Sequence, residues 1–261
     1  MTDPSPPDTS SFQELYTPIR PELRRYIHRL IGHPTDAEDL LQQVALKALE
    51  RRHQLKKTPA FRPWIYRIAT TTCLDFLRTR KRWEPQAQFD VQQECAENPE
   101  LRQGVIETTQ EAEFAFDVYE HLSFCFTCVG RSLPPDEQAA LVLRELMGFS
   151  NQEAADALEL SESQLRHRLS AGRRSMEGTF DGLCSLVNKA GICRQCAGFR
   201  QATAASQRGP SLPVLANSTT PWETRLAAVR RQDFQDGKSS KLHDLLFQRI
   251  QTIEARRASK Q

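Results

Sequence analysis

Apolar residues recur every three or four positions along almost all of the chain, which is the spacing of amphipathic helices. Alternating apolar runs bounded by hairpin signals are absent, and glycine is scarce, at 11 of 261 residues. The pattern therefore predicts an all-α protein. The first predicted helix carries Pro18 and Pro21 near its start. The second follows Pro34, where Thr35 and Glu38 are expected to form a capping box.

A third helix is expected over about residues 61–82, ending in a run of basic residues. Trp64 falls on its apolar stripe, so a core position is favoured for this residue over a base contact. The next stretch is rich in Pro, Gln and Glu and poor in large apolar residues, which is typical of a linker. The first part of the chain is thus divided into a disordered leader (1–11), a helical domain (12–83) and an acidic linker (84–111).

The second helical domain is predicted over residues 112–200. Two further capping boxes, Ser150 with Glu153 and Ser161 with Gln164, open two short helices separated by a tight turn. Together with a preceding helix that starts at a Pro-Pro pair, this pattern indicates a helix-turn-helix, and its last helix is expected to run to about residue 175.

The formal charge of +2 hides a strong segregation of charge. Residues 60–83 carry a net charge of +5, residues 84–120 carry −9, and residues 201–261 carry +5. The first basic block coincides with the third predicted helix and is typical of a surface that binds nucleic acid. A solvated helix end is the alternative, since basic residues at a C-terminus also suit the helix dipole. The last basic block lies in a C-terminal extension (201–261), in which a flexible connector and one or two amphipathic helices are expected.

Two stretches carry a family resemblance. The sequence DAEDLLQQVALKALER at Asp36–Arg51, followed by FRPWIYRIATTTCLDFLRTR at Phe61–Arg80, resembles region 2 of sigma-70 family factors of the extracytoplasmic-function type. Leu133–Arg174 is similar to region 4 of the same family. The resemblance implies a cytoplasmic, non-enzymatic subunit of bacterial RNA polymerase that melts the −10 element and recognises the −35 element.

The resemblance also implies three sets of contact residues. The expected contacts to the clamp helices of the largest polymerase subunit are Asp36, Asp39, Gln43 and Lys47. The expected −10 contacts are Tyr66, Arg67, Thr70, Thr71, Arg78, Arg80, Lys81 and Arg82. The expected −35 contacts are Ser161, Glu162, Ser163, Gln164, Arg166, His167, Arg168, Arg173 and Arg174. Promoter DNA, the flap of the second polymerase subunit and an anti-sigma factor are the further partners implied, and no membrane span is expected.

This sequence departs from the family pattern at two points. Thr70 and Thr71 follow the Ile-Ala pair where the family often has Asn, so the −10 preference of other members does not transfer. Glu159 stands in the helix-turn-helix turn where Gly is frequent, and a left-handed conformation there costs on the order of 1 kcal/mol.

Seven cysteines include two C-x-x-C pairs that flank the second helical domain. Cys125, Cys128, Cys193 and Cys196 are the candidate ligands of a structural Zn²⁺, although their spacer is longer than that of a zinc ribbon. A redox-responsive pair and ordinary buried thiols are the alternatives, and Cys184 is a candidate substitute ligand.

Two other functions are compatible with parts of the pattern. A helix-turn-helix regulator acting without polymerase would leave residues 36–82 unexplained. A thiol-disulfide oxidoreductase would use the C-x-x-C pairs, but such enzymes favour an α/β frame that the helical pattern lacks.

Overall fold

The computed structural model describes residues 9–55, 61–213, 215, 221–234 and 236–259. Within these ranges the chain is helical without β-strands, which confirms the predicted all-α class. The α-helices are α1 (Thr9–Ile31), α2 (Pro34–Glu50), α3 (Phe61–Arg78), α4 (Ala87–Glu97), α5 (Pro99–Gln110), α6 (Val118–Gly130), α7 (Pro135–Leu141), α8 (Asn151–Leu158), α9 (Glu162–Leu183), α10 (Gln195–Ala202), α11 (Pro221–Arg231) and α12 (Ser240–Ala258). A π-helical turn, Val142–Leu146, continues α7. None of the helices in the described ranges combines the length and the apolar composition that a membrane span requires.

The helices form two compact units, each made of two separate stretches of chain. The first unit contains the described residues up to Lys81 together with Pro134–Gly172, and the second contains Arg82–Leu133 together with the described residues from Arg173 onward. The units therefore differ from the sequence-continuous domains expected from the pattern, because α7 and α8 pack with α1–α3.

In the first unit, α1, α2 and α3 contact one another around an apolar core, and α7 and α8 cover a second face of α3. Leu23, Ile27, Val44 and Ile65 are fully buried in this core. Gln138 of α7 is also buried, and its side-chain amide donates a hydrogen bond to the carbonyl of Leu30 at 2.9 Å.

The beginnings of α1 and α2 differ from the prediction. Helix α1 starts at Thr9 and continues through both prolines, so it includes the end of the predicted leader, whose residues 1–8 lie outside the described part. Helix α2 begins at Pro34 with His33 as its N-cap and no side-chain cap, so the predicted Thr35–Glu38 capping box is wrong. Glu38 instead accepts a hydrogen bond from Arg20 at 2.8 Å.

In the second unit, α12 contacts α4, α5 and α6, and α11 packs on α6. The predicted linker is therefore helical, as α4 and α5, and the C-terminal extension forms part of the same core. Trp83 lies against Phe247 of α12 with ring centroids 4.7 Å apart. Ion pairs join α12 to α4: Arg249 binds Glu94 through two hydrogen bonds, and Arg257 binds Asp90 at 2.8 Å.

Candidate functional site

The helix-turn-helix lies in α8 and α9. The Ser150 hydroxyl accepts a hydrogen bond from the Glu153 main-chain N–H, and the Glu153 carboxylate accepts one from Ser150, which confirms this capping box. The Ser161–Gln164 pair makes the same reciprocal hydrogen bonds at 3.2 and 2.9 Å. Glu159 between the two helices has φ of 57°, the left-handed conformation that glycine favours. The turn is therefore held by local hydrogen bonds at the start of each helix.

The first turns of α9 present polar side chains to solvent. Leu165 and Leu169 are buried and fix the rotation of the helix. The predicted −35 residues on the opposite face are exposed; they are Ser161, Glu162, Ser163, Gln164, Arg166, His167 and Arg168. Further along, Arg174 is exposed and Arg173 is half-buried. Helix α9 extends to Leu183, beyond its predicted end near residue 175.

Two of the predicted −10 residues are inside the first unit. Tyr66 is fully buried and packs on Phe149 with ring centroids 4.7 Å apart. Thr70 is 1% exposed and its hydroxyl is 2.7 Å from that of Tyr26. The expectation that these two side chains contact DNA does not agree with their burial, because Tyr26 of α1 and Phe149 before α8 cover this part of α3. Trp64, expected in the core, is half-buried beside Phe61.

The other predicted −10 residues lie on the surface. Arg67 donates a hydrogen bond to the carbonyl of Asp156 in α8, and the Thr71 hydroxyl bonds to its own helix. At the end of α3, Arg78 pairs with Asp136 at 3.0 Å and Arg80 pairs with Asp36 at 3.5 Å. Lys81 and Arg82, which follow α3, are exposed. The basic residues of this stretch thus remain accessible, although α3 ends four residues earlier than predicted.

The predicted polymerase-binding residues are not equally accessible. Asp39 and Gln43 are exposed, whereas Asp36 is half-buried and Lys47 donates a hydrogen bond to the Thr72 hydroxyl at 3.1 Å. Leu46, which the sequence analysis missed, has 62% of its surface exposed on the same helix. In the sequence, Leu46 stands out as an apolar residue that lies outside the core stripe of α2.

The predicted metal ligands do not all come together. Cys125, Cys193 and Cys196 line a cavity of about 30 Å³ in the second unit, and the fourth thiol at this cavity is Cys184. Cys128 does not line the cavity but interacts with Gln88, which does, and with Arg131. Burial raises the pKa of the Cys125 and Cys196 thiols well above their usual range and that of Cys193 to about 11. Among the described residues, no group of three or more His, Cys, Asp or Glu side chains is arranged to hold a metal ion.

Comparisons with known proteins find relatives for two parts of the chain, the N-terminal helices and the segment that contains the helix-turn-helix. Residues 15–83 match the family Sigma-70 region 2, and residues 124–176 match the family Sigma-70, region 4. The ECF RNA polymerase sigma factor SigG of Mycobacterium tuberculosis is 27% identical over 187 residues, which cover 67% of this chain and 50% of SigG. The ECF RNA polymerase sigma-E factor of Haemophilus influenzae is 28% identical over 162 residues, covering 62% of this chain and 80% of that protein.

A solved structure of the sigma factor RpoE in complex with the anti-sigma factor NepR, from Bartonella quintana, is 18% identical to this chain. The structural alignment covers 66% of this chain and 98% of the RpoE chain, with a TM-score of 0.45. This chain belongs to the sigma-70 family, since models of two regions of that family match it in the expected order. Within the family it is of the extracytoplasmic-function type, ECF for short. It spans about half the length of the Mycobacterium tuberculosis relatives that it matches.

Proposed function

We propose that this chain directs the core enzyme of bacterial RNA polymerase to promoters and starts transcription there, without catalytic chemistry of its own. The observation that carries the proposal is the exposed polar face at the beginning of α9, where Leu165 and Leu169 anchor the helix while residues 161–164 and 166–168 are exposed to solvent. A helix fixed in this way enters a major groove with its N-terminal residues next to base edges. We therefore assign α9 to the −35 element.

The side chains of α9 divide into two groups in this proposal. Gln164, Arg166 and His167 carry groups that donate hydrogen bonds to base edges, so they supply sequence preference. Arg174, about two turns further along, contacts phosphate and supplies affinity that is independent of sequence. The division is supported by position along α9, since base contacts come from the N-terminal part of a recognition helix.

The −10 strand is assigned to the surface at the end of α3. Arg67, Arg78, Arg80 and Lys81 provide cationic groups for the released non-template strand, as single-strand binding requires. Tyr66 and Thr70 hold α3 in place from inside the first unit. Polymerase docking is assigned to the exposed face of α2, whereas the flap contact and an anti-sigma partner remain predictions.

Run-off transcription with purified core polymerase tests the function. We expect specific transcripts only when this chain is added, and we expect replacement of Arg166 and His167 to change the preferred −35 sequence. Arg174→Ala should instead weaken binding on every promoter and lower the salt dependence. A chain that binds promoter DNA alone but never directs initiation by the core enzyme would be a polymerase-independent regulator, and the proposal would be rejected.

A further inference from the structure

The segment that connects the region 2 match to the region 4 match is folded together with the C-terminal helix. Residues 84–111 lie between the two matches and contain α4 and α5, which contact each other and α12. Leu242 and Ile250 of α12 are fully buried in the second unit, and Val91 of α4 and Val105 of α5 are buried as well. The C-terminal helix therefore belongs to the same core as the connecting segment.

Polar contacts also join α12 to the connecting segment. Arg257 lies between two carboxylates, because its Nη1 is 2.8 Å from Oδ2 of Asp90 in α4 and 2.7 Å from Oε1 of Glu254 in its own helix. The buried Glu254 side chain in turn accepts a hydrogen bond from the main-chain N–H of Glu84 at 3.1 Å. The contacts of Arg257 with Asp90 and of Glu254 with Glu84 exist only while the connecting segment lies on α12.

The folded connecting segment is short compared with the distance between the two promoter elements. At a rise of about 1.5 Å per residue, α4 with 11 residues and α5 with 12 residues are each less than about 20 Å long. Residues 84–111 could span about 95 Å if they were fully extended. The −10 and −35 elements are centred about 25 base pairs apart, which is about 85 Å along a straight duplex. The helical form of the segment is thus far shorter than this distance.

In the first unit, the parts that match region 2 and region 4 are in direct contact. Helices α7 and α8 of the region 4 match pack on α3 of the region 2 match. The Phe149 ring lies 4.7 Å from the Tyr66 ring, and the Arg62 guanidinium lies 3.9 Å from the Glu153 carboxylate. Two parts that touch in this way cannot bind elements about 85 Å apart at the same time. The chain must therefore open before it binds both elements of a promoter.

We propose, building on the proposed function, that α12 is an intramolecular restraint on this opening. It holds the connecting segment folded and has to release α4 and α5 before the chain binds both promoter elements. Core polymerase drives the release, since a partner that binds the open form better shifts the equilibrium toward it. In the free chain only the open fraction is competent, so the apparent affinity for polymerase is lower than that of the open form.

Charge reversal at Arg257 tests the restraint in the full chain. Arg257→Glu places a third carboxylate next to those of Asp90 and Glu254, and their repulsion should release α12 from α4. We expect run-off transcription by core polymerase, at a concentration of the chain that limits initiation, to rise about fivefold or more. Adding Asp90→Arg to the same chain puts an arginine back between two carboxylates and should return transcription to the unmodified level.

Two results of this assay would overturn the proposal. One is equal transcription by the unmodified chain, Arg257→Glu and the double variant. The other is a loss of transcription in Arg257→Glu that Asp90→Arg restores, because α12 would then support the active form. If no chain, including the unmodified one, gave transcripts with core polymerase, the proposed function itself would be rejected.

Hydrogen exchange of the unmodified chain provides a second measurement that no folding defect of a variant can affect. The amides of α4 and α5 should be protected in the free chain and should exchange about tenfold or more faster in the complex with core polymerase. Residues 23–31 of α1 lie in the first unit and should stay protected in both states. Unchanged protection of α4 and α5 in the complex would mean that α12 does not release them, and the proposal would fail whatever the transcription assay gave.

Discussion

The Arg67 side chain in α3 donates a hydrogen bond from Nε to the main-chain carbonyl of Asp156 in α8, at 3.0 Å. Next to it, the Arg62 guanidinium lies 4.1 Å from the centre of the Phe149 ring, which in turn packs on Tyr66. A helix of the region 2 match and residues of the region 4 match thus share one interface in the first unit. The polar face of α3 that was assigned to DNA also serves this interface.

Replacement of Tyr66 should therefore mainly lower stability, whereas replacement of Arg67 should mainly lower promoter melting. Tyr66→Ala removes a buried ring and should lower the free energy of unfolding by about 3–5 kcal/mol. Arg67→Ala should cost about 1 kcal/mol or less, because its side chain is exposed, but it should reduce promoter melting. Urea unfolding measures the first effect and permanganate reactivity of −10 thymines the second. If Tyr66→Ala were stable yet unable to melt promoters, Tyr66 would be a DNA contact after all.

A substitution in the turn between α8 and α9 should increase the stability of the protein. Glu159 adopts φ of 57° without the freedom of glycine. Glu159→Gly should raise the free energy of unfolding by about 0.5–1 kcal/mol, since the left-handed conformation is unfavourable for a residue with a Cβ atom. Glu159→Ala keeps the Cβ atom and serves as the control without this gain. Thermal unfolding of both variants makes the comparison, and equal melting temperatures would contradict the expectation.

Periodicity alone could predict most helices and the helix-turn-helix, because the apolar residues that form one core follow the 3.6-residue repeat. It could not predict the burial of Tyr66. This residue lies beside the stripe of α3 and packs both on Tyr26 of α1 and on Phe149, which is more than eighty positions later in the sequence. When a helix packs on two faces, its sequence shows one clear apolar stripe, which marks the face with the larger contact.

The acidic segment shows the same limit. Asp90 and Glu94 read as solvated linker charges, yet their partners Arg257 and Arg249 lie in α12, far away in the sequence. The cysteines follow this logic too. A C-x-x-C spacing suggested Cys128, whereas the cavity takes Cys184 through the close approach of Gly191 to the backbone at that position. Local patterns predicted local structure, and pairings across long stretches of chain decided the rest.

Leu46 gives a direct test of the polymerase contact. A leucine with 62% of its surface exposed on α2 adds nothing to the core, so Leu46→Glu should leave the melting temperature within a few degrees of the unmodified chain. The same change should weaken binding to core polymerase about tenfold or more if Leu46 lies in the interface, because a charge would replace an apolar contact. Leu46→Met keeps an apolar side chain at the same position and should bind core polymerase like the unmodified chain. Equal affinity of Leu46→Glu and Leu46→Met, measured by fluorescence anisotropy, would place the interface elsewhere.

The ion pair between Arg249 and Glu94 should contribute to the second unit. Only 21% and 20% of the two side chains are exposed, and two hydrogen bonds join them. Arg249→Met should lower the free energy of unfolding by about 1–3 kcal/mol, since Glu94 loses its main partner in a partly buried place. Lys241→Ala breaks the exposed pair with Glu111 and should leave the unfolding midpoint unchanged. If both variants unfolded at the same urea concentration, the α4–α12 ion pair would not be stabilising.

Acidification should destabilise the second unit through two buried histidines. Nδ1 of His121 lies 3.3 Å from Nε2 of His243, and neither side chain has more than 1% of its surface exposed. Burial lowers the pKa of His121 to about 4. Burial, followed by repulsion from His121, lowers the pKa of His243 well below its usual range. Between about pH 6.5 and pH 4 the unfolded chain therefore binds more protons than the folded one, and stability falls as the pH falls.

For His121 alone, the pKa difference corresponds to a loss on the order of 2 kcal/mol between pH 7.5 and pH 5. His243→Gln should flatten the dependence of the melting temperature on pH, because one titrating group is removed. His53→Gln changes an exposed histidine and should leave the dependence as it is. Burial raises the pKa of Glu120, so protonation of this carboxylate in the folded chain opposes the loss of stability on acidification. The melting temperature of each variant is therefore compared with that of the unmodified chain at every pH. If the His243→Gln chain lost stability on acidification as steeply as the unmodified chain, other groups would cause the loss. Buried His28 in the first unit is then the strongest candidate, since burial also lowers its pKa.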